Sequence, residues 1–332
     1  MIPIIYSEEF TKHFTGDAHP ERAERIVATV EALRKTLWAD KIQWLAPSLL
    51  ESNAVLSLLH EVHIPEYIQA VEEFAINNGQ HADNDIPTNI QVTEIGGFRI
   101  VDGQYQYFDA DISVCRDSYN VALLTVRAWI DGVDQALSGR PTFVLARPPG
   151  HHALSNRGMG FCLFGNAAIA ANYALKKPEI NRVGILDWDI HHGNGTQSLV
   201  ENNPDIAFCS LHEMPCYPNT GYPSEQGKFD NVLNIPILAG SQLDTYEQEF
   251  ENKVLPFFEK FQPDLLIVSA GYDANMADPL SEVCIQPSDY GKLTQYCLQL
   301  TSKIVFGLEG GYAVKELTES VVATIEQLIT LT

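Results

Sequence analysis

Two segments near the middle of the chain carry side chains that could hold a catalytic metal ion. In the first, Asp187, Asp189 and His191 alternate along the end of an apolar run. Because side chains two positions apart on an extended backbone point the same way, we expect these three to share one face. In the second, the apolar run 265–270 leads through a glycine to Asp273. One aspartate and the histidine of the first segment, together with Asp273, could bind one Zn²⁺ and leave a position open for water.

Two further segments could act on a substrate beside such an ion. His151 and His152 are adjacent, so their side chains diverge: one imidazole can reach the water while the other supports it. Near the carboxyl terminus, paired glycines precede Tyr312, whose hydroxyl could donate to a developing oxyanion. Each segment alone also fits an ordinary loop, turn or helix cap. The interpretation as an active site therefore depends on all four lying together.

Short apolar runs alternate with helical patterns along the chain, and these elements must position the four segments. Continuous apolar runs predict buried strands at residues 2–6, 142–146, 183–186, 206–210, 265–269 and 304–308. Helical patterns occupy residues 21–38, 117–137, 166–175, 245–261 and 314–329. The alternation predicts a single α/β domain over residues 1–332, with a doubly wound, mainly parallel sheet covered by helices on both faces. Segments at about 78–114 and 212–231 are expected to be rim loops, and the site to lie beyond the carboxyl ends of the strands.

Composition and charge narrow the classes of function. The 332 residues carry a formal net charge of −22 with only 21 lysines and arginines, which speaks against a nucleic-acid partner. A net negative charge of this size favours solubility or the binding of a cationic partner. No apolar run approaches the roughly 18 residues that span a bilayer, and the first residues do not resemble a signal peptide. We therefore expect a cytoplasmic protein with no membrane partner. The six cysteines form no Cys-x-x-Cys pair, and most, including Cys162, are expected to be reduced, buried packing residues.

Taken together and in this order, the segments resemble the histone deacetylase family of the arginase-deacetylase fold, most closely its class II and bacterial amidohydrolase-like branch. The resemblance covers nearly the whole chain, at residues 19–25, 147–152, 160–162, 187–195, 210–212, 271–280 and 309–312. It implies a zinc-dependent deacetylase that hydrolyses the acetyl amide of acetyl-lysine side chains in proteins or peptides by metal-activated water. The sequence gives no indication of the oligomeric state or of the acyl lengths accepted.

Carried over position by position, the resemblance implies a role for each matching residue. The zinc ligands would be Asp189, His191 and Asp273. His152 would be the general base and acid, and His151, paired with the Asp187 carboxylate, would be its electrostatic neighbour. The Asn194 amide would pair with His152. The Tyr312 hydroxyl would polarise the acetyl carbonyl.

The resemblance also implies residues that bind the substrate and a structural cation. Those along the substrate tunnel and its rim would be Gly160, Phe161, Tyr217, Leu280 and Asp111. A structural potassium ion is implied near side chains or carbonyl oxygens of Asp187, Asp189, His191, Ser210 and Leu211. Arg25 matches an arginine that lines an internal channel in the family.

Three departures from the family pattern bear on mechanism and substrate. Asn194 stands where many members carry aspartate, and a neutral partner raises the pKa of His152 less than a carboxylate would. His152 is then more readily available as a base at neutral pH. Tyr312 is present where a weakly active branch carries histidine, so the chain is expected to be active. Leu280 stands where a polyamine-specific relative carries glutamate, which favours acetyl-lysine over acetylpolyamines.

Alternatives stay open at the level of sequence. Small acetylated amines such as acetylpolyamines are a second substrate class, and a non-catalytic protein that binds acetyl-lysine or an amine would use the same scaffold. An arginase-like enzyme with two metal ions would need carboxylates where this chain has Gly193 and Asn275. Fe²⁺ can also occupy a site of mixed histidine and carboxylate ligands.

Overall fold

The computed structural model describes residues 1–48, 52–78, 92–95, 98–101, 104–107 and 112–331. Numbered along the chain, the strands are β1 Ile2–Ile5, β2 Ile42–Leu45, β3 Val92–Ile95, β4 Phe98–Val101, β5 Gln104–Tyr107, β6 Thr142–Val144, β7 Val183–Asp187, β8 Ile206–Glu213, β9 Val232–Ile237, β10 Leu265–Ala270 and β11 Ile304–Leu308. The helices are α1 Glu24–Lys35, α2 Ser52–Leu59, α3 Pro65–Asn78, α4 Ser118–Leu137, α5 Asn166–Ala174, α6 Asn194–Val200, α7 Leu243–Glu249, α8 Leu255–Phe261, α9 Asp289–Leu300 and α10 Val314–Leu331.

Eight strands form one parallel sheet in the order β2-β1-β6-β11-β10-β7-β8-β9. Every residue of β1, β6, β7, β8, β10 and β11 is buried, which requires cover on both faces of the sheet and explains their unbroken apolar runs. Helix α4 packs on β1, β6 and β11, α5 on β7 and β10, and α10 on β1. The predicted α/β class and mainly parallel sheet are confirmed.

The six predicted strands are present; the differences from prediction are two edge strands, a second sheet and a longer β8. Strands β2 and β9 were not predicted because, as edge strands, they carry partly exposed residues and so lack a continuous apolar run. Part of the segment expected to be a rim loop at 78–114 instead forms an antiparallel sheet of β3, β4 and β5. The second expected rim loop, at 212–231, begins later than predicted because β8 continues through Glu213.

The predicted helices are also present, with altered ends. The first begins at Glu24 rather than at residue 21 and ends at Lys35. The pattern at 245–261 corresponds to α7 and α8, joined by a π-helical turn at Phe250–Val254. Among the described helices, none is both long and apolar enough to cross a bilayer. All six cysteines are free, but only Cys162, Cys209 and Cys297 are buried, so the expectation that most are buried is wrong.

The order of the strands brings the chemically interesting loops to one edge. Strands β6, β11, β10, β7 and β8 are consecutive neighbours in the sheet, and all are parallel. Their carboxyl ends therefore open on the same side of the molecule, where ligands bind in open α/β sheets. The loops that follow β6, β7, β10 and β11 carry the four segments predicted to do chemistry.

Candidate active site

Asp189, His191 and Asp273 converge in a buried position between the ends of β7 and β10. One ligand atom from each lies within 4.8 Å of the others. The His191 Nδ1 atom is 3.2 Å from Asp189 Oδ1 and 3.1 Å from Asp273 Oδ2. Burial lowers the pKa of His191, but its hydrogen bonds with the two carboxylates outweigh that effect and raise the pKa well above the usual value. One imidazole and two carboxylates directed at a common point are a donor set that fits Zn²⁺.

The predicted convergence is correct, but extended backbone is not its cause. Strand β7 ends at Asp187, and the next residues turn. Each aspartate accepts from the backbone two residues on: Asp187 Oδ1 from the Asp189 N–H at 3.1 Å, and Asp189 Oδ1 from the His191 N–H at 3.0 Å. Asx turns of this kind are local alternatives to regular structure. They direct the side chains of the loop toward Asp273.

Backbone groups from neighbouring loops fix the outer oxygens of both carboxylates. The Gly310 N–H donates to Asp189 Oδ2 at 2.7 Å, and the Ile190 N–H donates to Asp273 Oδ1 at 2.9 Å. A Cβ atom at Gly310 would lie 2.2 Å from Asp273 Oδ2 and 2.5 Å from Asp189 Oδ2. Glycine is therefore required at this position by the two carboxylates rather than by its backbone angles.

The substitution Gly310→Ala is expected to weaken metal binding because the new methyl group pushes both carboxylates apart. Overpacking of this kind costs about 1–3 kcal/mol, which corresponds to roughly 5–150-fold in affinity. Metal content after dialysis against a graded chelator measures the effect. Gly291→Ala is the matched control, since the nearest atom to its added Cβ is 3.5 Å away. Equal metal retention by both variants would contradict the assignment of these carboxylates.

The two adjacent histidines have different partners. His152 Nδ1 lies 2.7 Å from Asn194 Oδ1, while the Asn194 amide nitrogen donates to Met159 Sδ. This amide orientation places the proton of neutral His152 on Nδ1 and leaves Nε2 as the basic atom. Burial first, and then the neighbouring His151 and His191, lower the pKa of His152 well below its usual value. His152 is thus held as a neutral base.

His151 is instead held in its charged form. Its Nδ1 atom lies 3.1 Å from Asp187 Oδ2, and its ring centre is 3.9 Å from that of His152. Burial lowers the pKa of His151, but the Asp189 and Asp187 carboxylates overcome this and raise it to about 10. A cation bound at Asp189 would offset part of that effect. The predicted pairing of His151 with Asp187 is present.

Replacing Asn194 by aspartate is expected to move the acidic limb of the kcat/KM profile to higher pH. A carboxylate beside Nδ1 stabilises the imidazolium, and an opposite charge at such a distance shifts a pKa by about 1–3 units. The protonated, inactive form of His152 then persists to higher pH. Initial rates over a pH series measure the midpoint. Asn172→Asp, on a partly buried helical position away from the site, is the control. If the midpoint of the acidic limb did not move, Asn194 would not be the residue that sets the pKa of the base.

Aromatic side chains stand beside these polar groups. The Phe161 ring centre is 5.6 Å from that of Tyr312, and the Tyr217 ring centre is 5.1 Å from that of His152. Gly160 has φ +53°, and a Cβ atom there would lie 2.1 Å from His152 Cδ2. The chain therefore passes His152 closely before it presents Phe161. Burial, followed by the Asp273 carboxylate, raises the pKa of Tyr312 well above its usual value, so its phenol stays a hydrogen-bond donor.

Three anchors fix the loop of Tyr312, and none of them was predicted in that role. Asp278 Oδ2 accepts from the N–H groups of Tyr312 and Ala313 at 2.6 and 3.2 Å. The Glu309 carboxylate accepts from the N–H groups of Gly150 and His151 at 2.6 and 3.2 Å. Glu309 thus ties the Tyr312 loop to the histidine loop.

The third anchor is a buried group of charges. The Arg25 Nε atom donates to Gly311 O at 2.7 Å, and its guanidinium carbon is 5.1 Å from the centre of the Tyr312 ring. Glu21 accepts from Arg25 at 3.1 Å and from Arg147 at 2.8 Å, and all three side chains are fully buried. Arg147 begins the loop that leads to the histidine pair. Arg25, predicted as a channel residue, is therefore placed where it supports the loop carrying Tyr312.

Of the remaining predicted residues, Leu280 lies beside Asp278, Ser210 and Leu211 lie on β8, and one residue is not described. Leu280 is 38% exposed, and its N–H donates to Asp278 Oδ1 at 3.0 Å. Ser210 pairs with Asp187 across the ladder between β8 and β7, and its hydroxyl lies 3.0 Å from His212 Nδ1. Leu211, next along β8, is fully buried. Asp111, predicted at the substrate rim, lies outside the described residues.

The fold and site together define an α/β enzyme of the arginase-deacetylase type. Its acid-base pair, its candidate metal ligands and a donor hydroxyl all lie at the carboxyl edge of one parallel sheet. The solved structure of the HDA15 HD domain has the same fold, with a TM-score of 0.83 at 30% sequence identity; the match covers 98% of this chain and 90% of that one.

The chain belongs to the histone deacetylase family, since residues 19–328 match the family model of the histone deacetylase domain. An uncharacterized protein from Synechocystis sp. is 48% identical over 99% of this chain and 100% of its own length. A probable deacetylase from Archaeoglobus fulgidus is 32% identical over 94% of this chain and 81% of its own length. The predicted family is confirmed, and with it the broad class of a deacetylase-type hydrolase.

Proposed function

We propose that the protein is a zinc-dependent deacetylase that hydrolyses the acetyl amide of acetyl-lysine side chains in proteins or peptides. The observation that supports this most strongly is the convergence of Asp189, His191 and Asp273 in one buried place. Beside it lie a neutral histidine base with a defined tautomer and a tyrosine hydroxyl. A protein that only bound an acetylated amine would have no use for the base.

Zn²⁺ held by the three ligands would supply Lewis acidity toward the acetyl carbonyl and lower the pKa of water. His152 accepts a proton from the attacking water at Nε2 and later returns it to the leaving amine. Tyr312 donates to the carbonyl oxygen as negative charge develops there. The water oxygen joins the acetyl carbon, the carbon–nitrogen bond breaks, and the products are acetate and free amine. No covalent intermediate is required.

The surroundings of the catalytic groups favour a substrate with an aliphatic stem. Phe161 and Tyr217 place aromatic rings next to Tyr312 and His152, and they would enclose methylene groups. At the rim, Leu280 offers no charge to a second ammonium group, which favours acetyl-lysine over an acetylpolyamine. The structural potassium ion is proposed next to Asp187 and Ser210, which adjoin each other in the sheet. The cytoplasmic location stays a prediction.

A comparison of substrates tests the proposal. The protein with one Zn²⁺ per chain is given acetyl-lysine peptides, free acetyl-lysine and acetylated polyamines, and kcat/KM is measured for each. We expect the peptides to have the largest kcat/KM, and removal of the metal with a chelator to abolish turnover until Zn²⁺ is restored. A larger kcat/KM for acetylpolyamines would show that small acetylated amines, rather than acetyl-lysine peptides, are the preferred substrates. Turnover that persists without a divalent ion would overturn it.

A further inference from the structure

A second group of potential metal ligands includes His151, one of the two adjacent histidines. One ligand atom from each of His151, Cys162 and Glu309 lies within 4.8 Å of the others, and all three residues are buried. These residues come from the loop after β6, the turn before α5 and the loop after β11. The group shares no residue with the Asp189, His191 and Asp273 set. It also contains sulfur, which that set lacks.

The contacts of the three side chains leave one suitable atom on His151 and one on Glu309. Glu309 Oε2 accepts from the N–H groups of Gly150 and His151, whereas its Oε1 atom accepts at 3.4 Å from the Ser269 hydroxyl, the one hydrogen bond it makes within the described part of the chain. His151 uses Nδ1 toward Asp187, and its Nε2 atom is 3.8 Å from Asp189 Oδ1. The Cys162 thiol donates to Gly160 O at 3.2 Å, and its Sγ atom is the third potential ligand.

We propose that His151, Cys162 and Glu309 form a second divalent-metal site, which takes Zn²⁺ when the metal is in excess and whose occupation inhibits the enzyme. Imidazole, thiolate and carboxylate are all established zinc ligands, at about 2.0–2.3 Å from the ion, and therefore roughly 3–4 Å from one another. The three atoms, which lie within 4.8 Å of one another, need to approach by at most about 1–2 Å to reach that spacing. Binding releases to solvent the thiol proton, the Nε2 proton of the charged His151 imidazolium, and any proton on the carboxyl group.

Inhibition follows from where the ion would lie. The His151 and His152 ring centres are 3.9 Å apart, and the ion would replace the Nε2 proton of the His151 imidazolium. It would therefore draw that ring toward Cys162 and Glu309 and disturb its position beside His152. Binding of Glu309 to the ion also pulls on the carboxylate that holds the N–H groups of Gly150 and His151. This part of the inference rests on the proposed function. The existence of the site does not.

Cobalt titration distinguishes the two sites once Cys216, whose side chain hydrogen-bonds with His191, is replaced, because only the second site then contains a thiol. The background protein carries serine at the three partly exposed cysteines, Cys115, Cys216 and Cys284, so that the remaining thiols are buried. The first equivalent of Co²⁺ is expected to give weak visible bands alone. The second should add the intense near-ultraviolet band of thiolate-to-cobalt charge transfer. A second equivalent that adds no such band would overturn the proposal.

Matched variants locate the sulfur. In the same background, Cys162→Ser should remove the band, while Cys297→Ser, at an equally buried helical position, should retain it. A band that survives Cys162→Ser would also overturn the proposal. Because Cys162→Ser could unfold, Glu309→Gln provides a second variant that keeps the sulfur; it should raise the Co²⁺ concentration needed for the band at least about tenfold. An unchanged concentration would contradict the ligand set.

Inhibition is measured on the zinc enzyme. Turnover of an acetyl-lysine peptide is expected to fall as free Zn²⁺ rises beyond one equivalent, and Cys162→Ser should raise the half-inhibiting concentration at least about tenfold. Identical inhibition of both proteins would overturn the inhibitory role. Should the protein show the charge-transfer band but no deacetylation at one equivalent of Zn²⁺, the proposed function fails and the second site stands.

Discussion

Replacing His152 by alanine is expected to lower kcat by about 10²–10⁴-fold, the usual contribution of a positioned general acid-base. The loss should be near the upper end because one imidazole performs both proton transfers, first from water and then to the amine. Asn194 fixes its tautomer and so keeps the Nε2 atom of this imidazole available for both transfers. Initial rates at a saturating concentration of an acetyl-lysine peptide, with metal content measured on the same samples, check the prediction.

The control for this variant is His60→Ala, which removes an exposed histidine at the end of α2. It should leave both kcat and metal content unchanged. His152→Ala should likewise retain about one Zn²⁺ per chain, because His152 is not among the three converging ligands. Loss of metal together with activity would show that His152 supports the metal site, and unimpaired turnover would remove it from the mechanism.

The position of the site could be predicted from the sequence because it depends on strand ends. Asp187 and Asp273 follow apolar runs that are long enough to be recognised, and parallel strands bring their carboxyl ends to one edge. The resemblance to a family then assigned a role to each residue. What failed was the local geometry: Asx turns, not an extended strand, direct Asp189 and His191.

The anchors of the catalytic loops could not be predicted in the same way. Glu309 accepts from Gly150, 159 positions earlier, and Arg25 donates to Gly311, 286 positions later. Spacing along the chain carries no information about such pairs, since only the folded sheet brings them together. A buried charge without a partner is very costly, so these carboxylates and guanidinium groups must find one another. These buried charged residues therefore lie in segments whose sequence resembles that of an ordinary loop.

Tyr312→Phe is expected to lower kcat by about 10²–10³-fold, the effect of removing one oxyanion donor. The substitution removes the hydroxyl alone, and the ring can keep its contacts with Phe161 and Arg25. Because the donor acts most strongly on the charge that develops in the transition state, KM for an acetyl-lysine peptide should change by much less than kcat. Steady-state kinetics with measured zinc content check both parts.

Tyr222→Phe is the matched control, because it removes the same hydroxyl from a half-exposed ring. The backbone of Tyr312 is fixed independently of its hydroxyl, by Asp278 at its own N–H and by Arg25 at the preceding carbonyl. A phenylalanine therefore keeps its place, and any loss of rate reports the missing donor rather than a moved loop. If kcat and zinc content fell equally, the hydroxyl would be supporting the metal site. If KM rose while kcat held, it would be binding the substrate in its ground state.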